Sequence, residues 1–234
     1  HSTDMTQLKL AIFDFDGTLV DSRRNIQVAM ERAFTAFGMA PPAYEETRKI
    51  VGLSLFEACQ QLIPGIDADG VNILAEHYKN AFLEMRKEPG HSEPLYAGAV
   101  ETLRRLRKDG WLVAGATGKS HRGVATVIEG HALHDIFDVV RCADDGPGKP
   151  HPFMVEDCLR HLGVDGVDAV MIGDTSFDMS MGRAAGVQAL GVSWGFHTHD
   201  EIADGGAHLI VHSFEELDAA LDRFGAARIL DHPR

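Results

Sequence analysis

The sequence has no excess of basic residues. Asp and Glu number 35 against 22 Lys and Arg, so the formal net charge is -13 and the pI is about 5.4. A chain this acidic lacks the broad positive surface with which proteins attract nucleic acid or anionic membranes. If the substrate is an anion, its binding requires local cations, either a metal ion or a few well-placed Lys and Arg side chains.

Cysteines and long apolar runs are also scarce. The three cysteines, Cys59, Cys142 and Cys158, are widely spaced and form no CxxC motif. We therefore expect neither a disulfide framework nor a structural zinc site, which favours a reducing cytoplasm. No apolar stretch approaches the ~20 residues of a membrane span. The N-terminus lacks the pattern of a signal peptide, and we expect residues 1–4 to precede a natural start at Met5.

What the sequence does contain is a regular alternation of strand and helix patterns. Its 234 residues and 44% hydrophobic content suit one main domain with a smaller insert. Strands are predicted at Leu8–Phe15, Trp111–Thr117, Phe137–Arg141, Ala169–Gly173, Gln188–Val192 and His208–Val211. Predicted helices cover the segments between them: the residues from the N-cap pair Asp21-Ser22 to about Phe37, most of Ala43–Lys87, Ala99–Lys108, His121–Glu129, Phe153–Leu162, Ser176–Ala185 and Phe214–Phe224.

This order predicts an α/β fold with a parallel, Rossmann-like sheet. The purely helical stretch after the first strand predicts an inserted α-helical cap domain. We place the core at residues 1–20 and 94–234 and the cap at residues 21–93. In such sheets, ligands bind outside the carboxyl ends of the strands, so the residues that follow each strand are the candidates for function.

Acids, a hydroxyl and lysines follow the predicted strands. Asp14 and Asp16 follow the first strand, Thr117-Gly118-Lys119 the second, Lys149-Pro150 lies in the loop after the third, and Gly173-Asp174-Thr175-Ser176-Phe177-Asp178 follows the fourth. A phosphate monoester repels a carboxylate nucleophile, and Mg²⁺, which prefers oxygen ligands, removes that repulsion. The set therefore predicts magnesium-assisted phosphoryl transfer through an aspartate.

The spacing of the first two aspartates fits this chemistry. Residues two apart in an extended strand point to the same side, so Asp14 can attack phosphorus while Asp16 serves the leaving group. Asp16 would protonate the departing oxygen and later take a proton from the hydrolytic water. Asp14 and Asp174 can supply carboxylates to the metal. Lys149, the Thr117 hydroxyl and neighbouring backbone N–H groups can hold the phosphoryl oxygens.

Together, D-x-D-G-T at 14–18, Thr117, Lys149-Pro150 and G-D-T-x-x-D at 173–178 closely resemble the haloacid dehalogenase superfamily, most of all its phosphoglycolate phosphatase-like branch with a small helical cap. The resemblance runs from about Leu8 to Phe224. It implies a Rossmann-like core with the active site at the core–cap interface. One departure is Gly118, where relatives often carry Asn or Ser.

The resemblance also implies a role for each motif residue. Asp14 would be the nucleophile and a metal ligand, and Asp16 the acid/base, with its backbone carbonyl a further Mg²⁺ ligand. Asp174 would bind the metal, and Asp178 would bind it directly or organise a bound water. Thr117, Gly118 and Lys149 would bind phosphate. True dehalogenases and phosphonate-cleaving relatives lack the second aspartate, so Asp16 favours phosphoesters.

Substrate choice is expected to lie in the cap. Arg48, Lys49 and Gly52 are our candidates for residues that read the leaving group, although a solvated helix face is an equally good interpretation of Arg48 and Lys49, and also of Arg23 and Arg24. Two other segments are expected to be solvated and without a role: His197-Thr198-His199 as a loop, and Lys119 as the start of a helix.

Several functions remain open on sequence alone. Phosphoglycolate is the default substrate by resemblance, with nucleoside monophosphates, pyrophosphate and sugar phosphates as alternatives. A phosphotransferase of the β-phosphoglucomutase type would pass the phosphoryl group to a sugar hydroxyl instead of water. More distantly, the chain could be a non-catalytic regulatory protein on the same fold. We expect a small phosphorylated metabolite as partner, no nucleic acid, no membrane, and a monomer or homodimer.

Overall fold

The structure, a computed structural model, describes residues 8–226 of the chain. The expected start at Met5 lies outside these residues. Six strands form one parallel sheet in the order β3-β2-β1-β4-β5-β6. They are β1 Leu10–Phe13, β2 Leu112–Ala116, β3 Val139–Arg141, β4 Ala169–Gly173, β5 Gln188–Val192 and β6 Leu209–Val211. The predicted α/β fold with a Rossmann-like parallel sheet is confirmed.

Ten helices accompany the sheet in the described part of the chain. They are α1 Arg23–Phe37, α2 Tyr44–Ile50, α3 Leu55–Leu62, α4 Ala68–Lys87, α5 Ala99–Lys108, α6 His121–Gly130, α7 Phe153–Leu162, α8 Ser176–Ala184, α9 His199–Asp204 and α10 Phe214–Ala226, with one 3₁₀ turn at Gly166–Asp168. Helix α9 and the 3₁₀ turn were not predicted. Helix α9 forms where a loop was expected because Thr198 and Glu201 make a reciprocal capping box.

Strand β1 lies at the centre of the sheet, and its alternating side chains pack into the two main hydrophobic clusters of the core. Ala11 and Phe13 belong to one cluster, and Leu10 and Ile12 belong to the other. All four residues are fully buried because helices cover both faces of the sheet. This burial explains why the sequence is an unbroken apolar run up to Asp14.

Helices α1 to α4 follow one another between β1 and α5, with a single isolated bridge residue, Leu53, and no strand between residues 23 and 87. They enclose a hydrophobic cluster of their own. These helices occupy the stretch that the sequence assigns to the cap, and we refer to them as the cap. The exact boundaries at residues 21 and 93 stay a prediction.

The two chain segments that join the cap to the sheet run side by side. Asp21 N–H donates to the Pro94 carbonyl at 2.8 Å, and Tyr96 N–H donates to the Leu19 carbonyl at 2.9 Å. Val20 and Leu95 form an antiparallel bridge between these two hydrogen bonds. The paired segments place the cap above the carboxyl ends of β1, β2 and β4, where the predicted functional residues lie.

None of the helices in the described residues is long and apolar enough to cross a membrane.

Candidate active site

Three carboxylates meet at the carboxyl edge of the sheet. Asp14 directly follows β1, Asp174 directly follows β4, and Asp178 lies in the first turn of α8. The three residues are at most 3% exposed, and each offers an oxygen within 4.8 Å of an oxygen of the others. Asp14 N–H donates to the Ile172 carbonyl at 3.0 Å, so hydrogen bonding between the two strands extends to the first of these acids.

Lys149 supplies a positive charge inside this cluster. Its ammonium lies 2.9 Å from Asp14 Oδ1 and 2.7 Å from Asp178 Oδ1, and its side chain is fully buried. Buried charges are tolerated when they are paired, and removing one partner leaves the other uncompensated. Lys149 therefore binds the nucleophile candidate and the α8 acid at the same time.

The cluster still carries more negative than positive charge. Burial raises the pKa of Asp14 well above its ordinary value, and the charge of Asp178 adds to this, while Lys149 opposes it. Burial and Asp178 likewise raise the pKa of Asp174 to about 7. Burial favours neutral Lys149, but Asp14 and Asp178 outweigh it and raise the pKa of the ammonium. A further cation would reduce the electrostatic repulsion among these three buried carboxylates, which one lysine does not fully neutralise.

Asp174 is held in place from two sides. The Thr18 hydroxyl donates to Asp174 Oδ1 at 3.0 Å, and the Phe196 N–H donates to Oδ2 at 2.8 Å. Gly17 passes so close that a β-carbon there would overlap Asp174 Oδ2. The glycine and threonine of the D-x-D-G-T motif thus fix an acid that lies 156 positions later in the chain.

The two carboxylate oxygens of Asp178 have different partners. Its Oδ2 accepts from the Thr175 N–H at 3.1 Å and from the Thr175 hydroxyl at 2.9 Å, which caps α8. Its Oδ1 lies 2.7 Å from the Lys149 ammonium. One oxygen therefore starts the helix while the other remains directed into the site.

The donor set of this cluster fits a hard divalent cation. Asp14, Asp174 and Asp178 offer only carboxylate oxygens, the ligands that such cations prefer. The raised pKa values of Asp14 and Asp174 indicate that holding these carboxylates charged side by side without a cation is unfavourable. These three residues could hold the metal, with Lys149 at its edge.

Asp16 points to a different neighbour. Its side chain is 17% exposed, and its Oδ1 lies 3.0 Å from the ammonium of Lys119, whose side chain is 9% exposed. The expectation that Lys119 is a solvated helix start was wrong. Ser120 caps α6 by accepting from the Gly123 N–H, so Lys119 stays in the preceding loop and faces the site.

Thr117 and Gly118 follow β2 and lie on the side of the core that faces the cap. Thr117 is fully buried, and its hydroxyl accepts from the Lys119 N–H at 3.1 Å. A β-carbon on Gly118 would lie 3.4 Å from the Gly52 carbonyl oxygen of the cap. The small residue at 118, the one departure from the family pattern, therefore lies directly under the cap loop.

The cap loop around Gly52 contacts the core on more than one side. Gly52 has φ +100°, and a β-carbon there would lie 3.6 Å from the Thr175 hydroxyl. Leu53 forms a parallel bridge with Lys149, and Ser54 lies beside Gly148. The structure thus places Gly52 at the site entrance, as its predicted role requires. That role in specificity stays a prediction.

The two predicted basic cap residues have other contacts in this closed arrangement. Arg48 lies 2.6 Å from Glu45 and 2.7 Å from Glu201 of the core, and it also donates to the Phe196 carbonyl. The Lys49 side chain is 54% exposed and lies 3.8 Å from Glu45. Arg48 thus joins cap to core, and the specificity role of both residues remains a prediction.

His197 is buried, so the expectation of a solvated loop at residues 197–199 was wrong for this residue, whereas Thr198 and His199 are exposed. Its Nδ1 accepts from the Ser176 N–H at 3.0 Å, so Nε2 carries the proton and faces the Lys49 carbonyl at 3.2 Å. Burial lowers the pKa of His197 and favours the neutral ring. Sequence reasoning missed this cap–core contact because no local pattern marks it.

Gly17 provides a test of the close packing around Asp174. Gly17 has φ +80° and Gly38 has φ +86°, but a β-carbon at Gly38 would meet no atom within 4 Å. Gly38→Ala should therefore cost only the left-handed backbone penalty of about 1–2 kcal/mol of unfolding free energy. Gly17→Ala should cost a further ~1–3 kcal/mol because Asp174 must move. Equal losses in chemical denaturation would contradict this packing.

The chain is similar in sequence, over most of its length, to proteins named as phosphatases. The chain is 34% identical over 215 residues to "Probable phosphatase IndB" of Dickeya dadantii, covering 90% of this chain and 92% of that protein. It is 28% identical over 218 residues to "Phosphoglycolate phosphatase 1" of Pseudomonas aeruginosa, and the match covers 92% of this chain and 80% of that protein.

Solved structures agree on the fold. The crystal structure of a predicted phosphatase from Clostridium acetobutylicum superposes with a TM-score of 0.82 at 23% identity, covering 93% of this chain and 99% of that one. The sequence model of the haloacid dehalogenase-like hydrolases matches residues 11–192, which span β1 to β5 and the whole cap. The resemblance inferred from the motifs is confirmed, and the chain belongs to the haloacid dehalogenase-like hydrolase family.

Proposed function

We propose that this protein is a magnesium-dependent phosphatase that hydrolyses a small phosphate monoester through an aspartyl-phosphate on Asp14. The observation that carries the proposal is the buried cluster of Asp14, Asp174, Asp178 and Lys149, with the second acid, Asp16, two residues after the first. The names of the relatives, a probable phosphatase and a phosphoglycolate phosphatase, support the same reaction class.

Charge balance supports the metal. A phosphate monoester adds negative charge to a site that already holds an excess of carboxylates. Mg²⁺ bound by Asp14 and Asp174, by the Asp16 carbonyl, and by Asp178 directly or through water would remove the repulsion between nucleophile and substrate. Lys149 would neutralise charge that spreads over the phosphoryl oxygens, and the Thr117 hydroxyl and Gly118 N–H would hold those oxygens.

The chain's own residues then account for both half-reactions. An Asp14 carboxylate oxygen attacks phosphorus, the bond from phosphorus to the ester oxygen breaks, and Asp16 gives its proton to that oxygen. In the second half, water attacks the phosphorus of the aspartyl-phosphate and Asp16 takes a proton from the water. The bond from phosphorus to the Asp14 oxygen breaks, inorganic phosphate leaves, and Asp14 is regenerated as a carboxylate. Acid–base assistance of this kind is typically worth ~10²–10⁴-fold in rate.

The substrate we favour is 2-phosphoglycolate, on the strength of the family branch and of the relative's name. A small leaving group also suits the close approach of Gly52 to Gly118. Nucleoside monophosphates, pyrophosphate and sugar phosphates are the alternative substrates, and they should be assayed in the same panel as 2-phosphoglycolate.

Replacing Asp14 should abolish turnover. Phosphate release from a panel of small esters is measured with Mg²⁺ and with chelator, for wild type and Asp14→Asn. We expect one ester to stand out in the wild type, with turnover lost both on chelation and in Asp14→Asn because the amide cannot attack. Asp69→Asn, an exposed acid in the first turn of α4, is the matched control and should retain full activity. Undiminished turnover in Asp14→Asn would refute the proposed nucleophile.

Substrate entry should require the cap to separate from the core, because the loop at residues 51–54 packs on both sides of the site. Such lid movements exclude water during the reaction and admit substrate between turnovers. A disulfide can test this. A β-carbon on Gly148 would lie 3.4 Å from the Ser54 β-carbon, close to the ~3.5–4.5 Å that disulfides require.

Oxidised Ser54→Cys/Gly148→Cys should release no phosphate, and reductant should restore turnover. Each single variant controls for loss of the native side chain, since Ser54 also caps α3. The native cysteines should not interfere because all three are buried and burial raises their thiol pKa values. Full turnover with the disulfide verified intact by mass spectrometry would rule out cap opening as a required step.

A further inference from the structure

Lys119 is a second lysine directed into the site, and no step described above uses it. Its ammonium lies 3.0 Å from Asp16 Oδ1, with only 9% of its side chain exposed. Among residues 8–226 it is the one cation within 4.0 Å of the Asp16 carboxylate. Lys149, by contrast, pairs with Asp14 and Asp178. Each of the two lysines therefore serves a different part of the catalytic set.

The backbone around Lys119 fixes where its side chain begins. The Lys119 N–H donates to the Thr117 hydroxyl at 3.1 Å, and its carbonyl accepts from the Ala143 N–H at 3.0 Å. Its aliphatic stem passes over Gly123, where an added β-carbon would lie 3.3 Å from the Lys119 β-carbon. The ammonium is thus positioned by the core itself, independently of the cap and of any substrate.

We propose that Lys119 is a positioning residue for Asp16. By engaging Oδ1, it leaves Oδ2 as the oxygen that gives the proton to the leaving group and later takes one from water. The inference rests on the proposed function, because it assigns to Lys119 a part in the acid–base step of that reaction.

The orientation of Asp16 matters because proton transfer requires hydrogen-bond reach to the departing oxygen. Asp16 lies in a turn just beyond β1, and its Oδ1 is buried without a hydrogen bond of good geometry. The ion pair with Lys119 is therefore the contact available to restrain it. Preorganised side chains of this kind avoid the cost of orienting the group during the reaction.

The test compares two esters in Lys119→Met, which keeps the stem and removes the charge. With 2-phosphoglycolate, whose alkoxide needs a proton, kcat/KM should fall about ten- to hundredfold, as for a misplaced catalytic group. With 4-nitrophenyl phosphate, whose phenolate departs unprotonated, it should fall less than about threefold. The ratio of the two kcat/KM values is the readout that a merely structural role would not move.

The same substitution in an Asp16→Asn background separates positioning from direct substrate binding. If Lys119 acts through Asp16, adding Lys119→Met to the Asp16→Asn variant should lower kcat/KM for 2-phosphoglycolate by less than about a further twofold, since the two effects are not additive. If Lys119 contacts the substrate, the loss should be the same in both backgrounds, and the proposal would be wrong. Lys119→Arg should keep most of the 2-phosphoglycolate activity, because it keeps the positive charge.

Lys9→Met is the matched control. Lys9 also forms an ion pair with an acid, Asp168, at 2.7 Å, but it precedes β1 at the opposite edge of the sheet. Its loss should leave the ratio between the two esters unchanged. If Lys119→Met does not fold by circular dichroism, Lys119→Gln replaces it, with the same change in ratio expected.

The outcomes are distinguishable from failure of the proposed function. A wild-type protein that releases phosphate from no member of the substrate panel, 4-nitrophenyl phosphate included, rejects that function, and this inference with it. An active wild type whose ester ratio is unchanged in Lys119→Met rejects the positioning role alone.

Discussion

Three buried carboxylates and one buried ammonium meet where β1 and β4 end, and the surrounding structure is arranged around that charge balance. Lys149 lies beside Asp14 and Asp178 but leaves the group with an excess of negative charge. Burial, and after it the charge of Asp178, raises the pKa values of Asp14 and Asp174. Gly17 gives Asp174 the space it occupies. A site of this kind is suited to hold a divalent cation and, with it, an anionic substrate.

The second acid works in a different environment. Asp16 is separated from the buried cluster, partly exposed, and paired with Lys119. Two carboxylates two residues apart thus have different surroundings, as their different roles as nucleophile and acid/base would require. The cap completes the arrangement: Gly52 approaches Gly118, while Arg48 and His197 join α2 to the core beside α9. Closure therefore depends on contacts outside the catalytic set.

Sequence predicted the fold well, and it predicted which side chains meet at the candidate site, because both rest on local signals. Outside the cap, the ends of each predicted strand and helix are within two residues of the observed ones, since apolar runs, glycines and capping residues mark them. Asp14, Asp174 and Lys149 were found because parallel strands bring their carboxyl ends to one edge. Lys119 and His197 were misassigned as solvated. Lys119 is held by an ion pair with Asp16, and His197 faces the Lys49 carbonyl of the cap; both partners are distant in sequence, and no short motif indicates such tertiary contacts.

The most direct test of the central claim is to trap the phosphorylated residue. Asp16→Asn is mixed with Mg²⁺ and 4-nitrophenyl phosphate, quenched in acid and analysed by peptide mass spectrometry. The activated ester can phosphorylate the protein without an acid, whereas hydrolysis of the intermediate still needs Asp16 as base, so the intermediate should accumulate. The account predicts a phosphoryl group on Asp14. A phosphoryl group on another residue, or none at any quench time while the wild type releases phosphate, would contradict it.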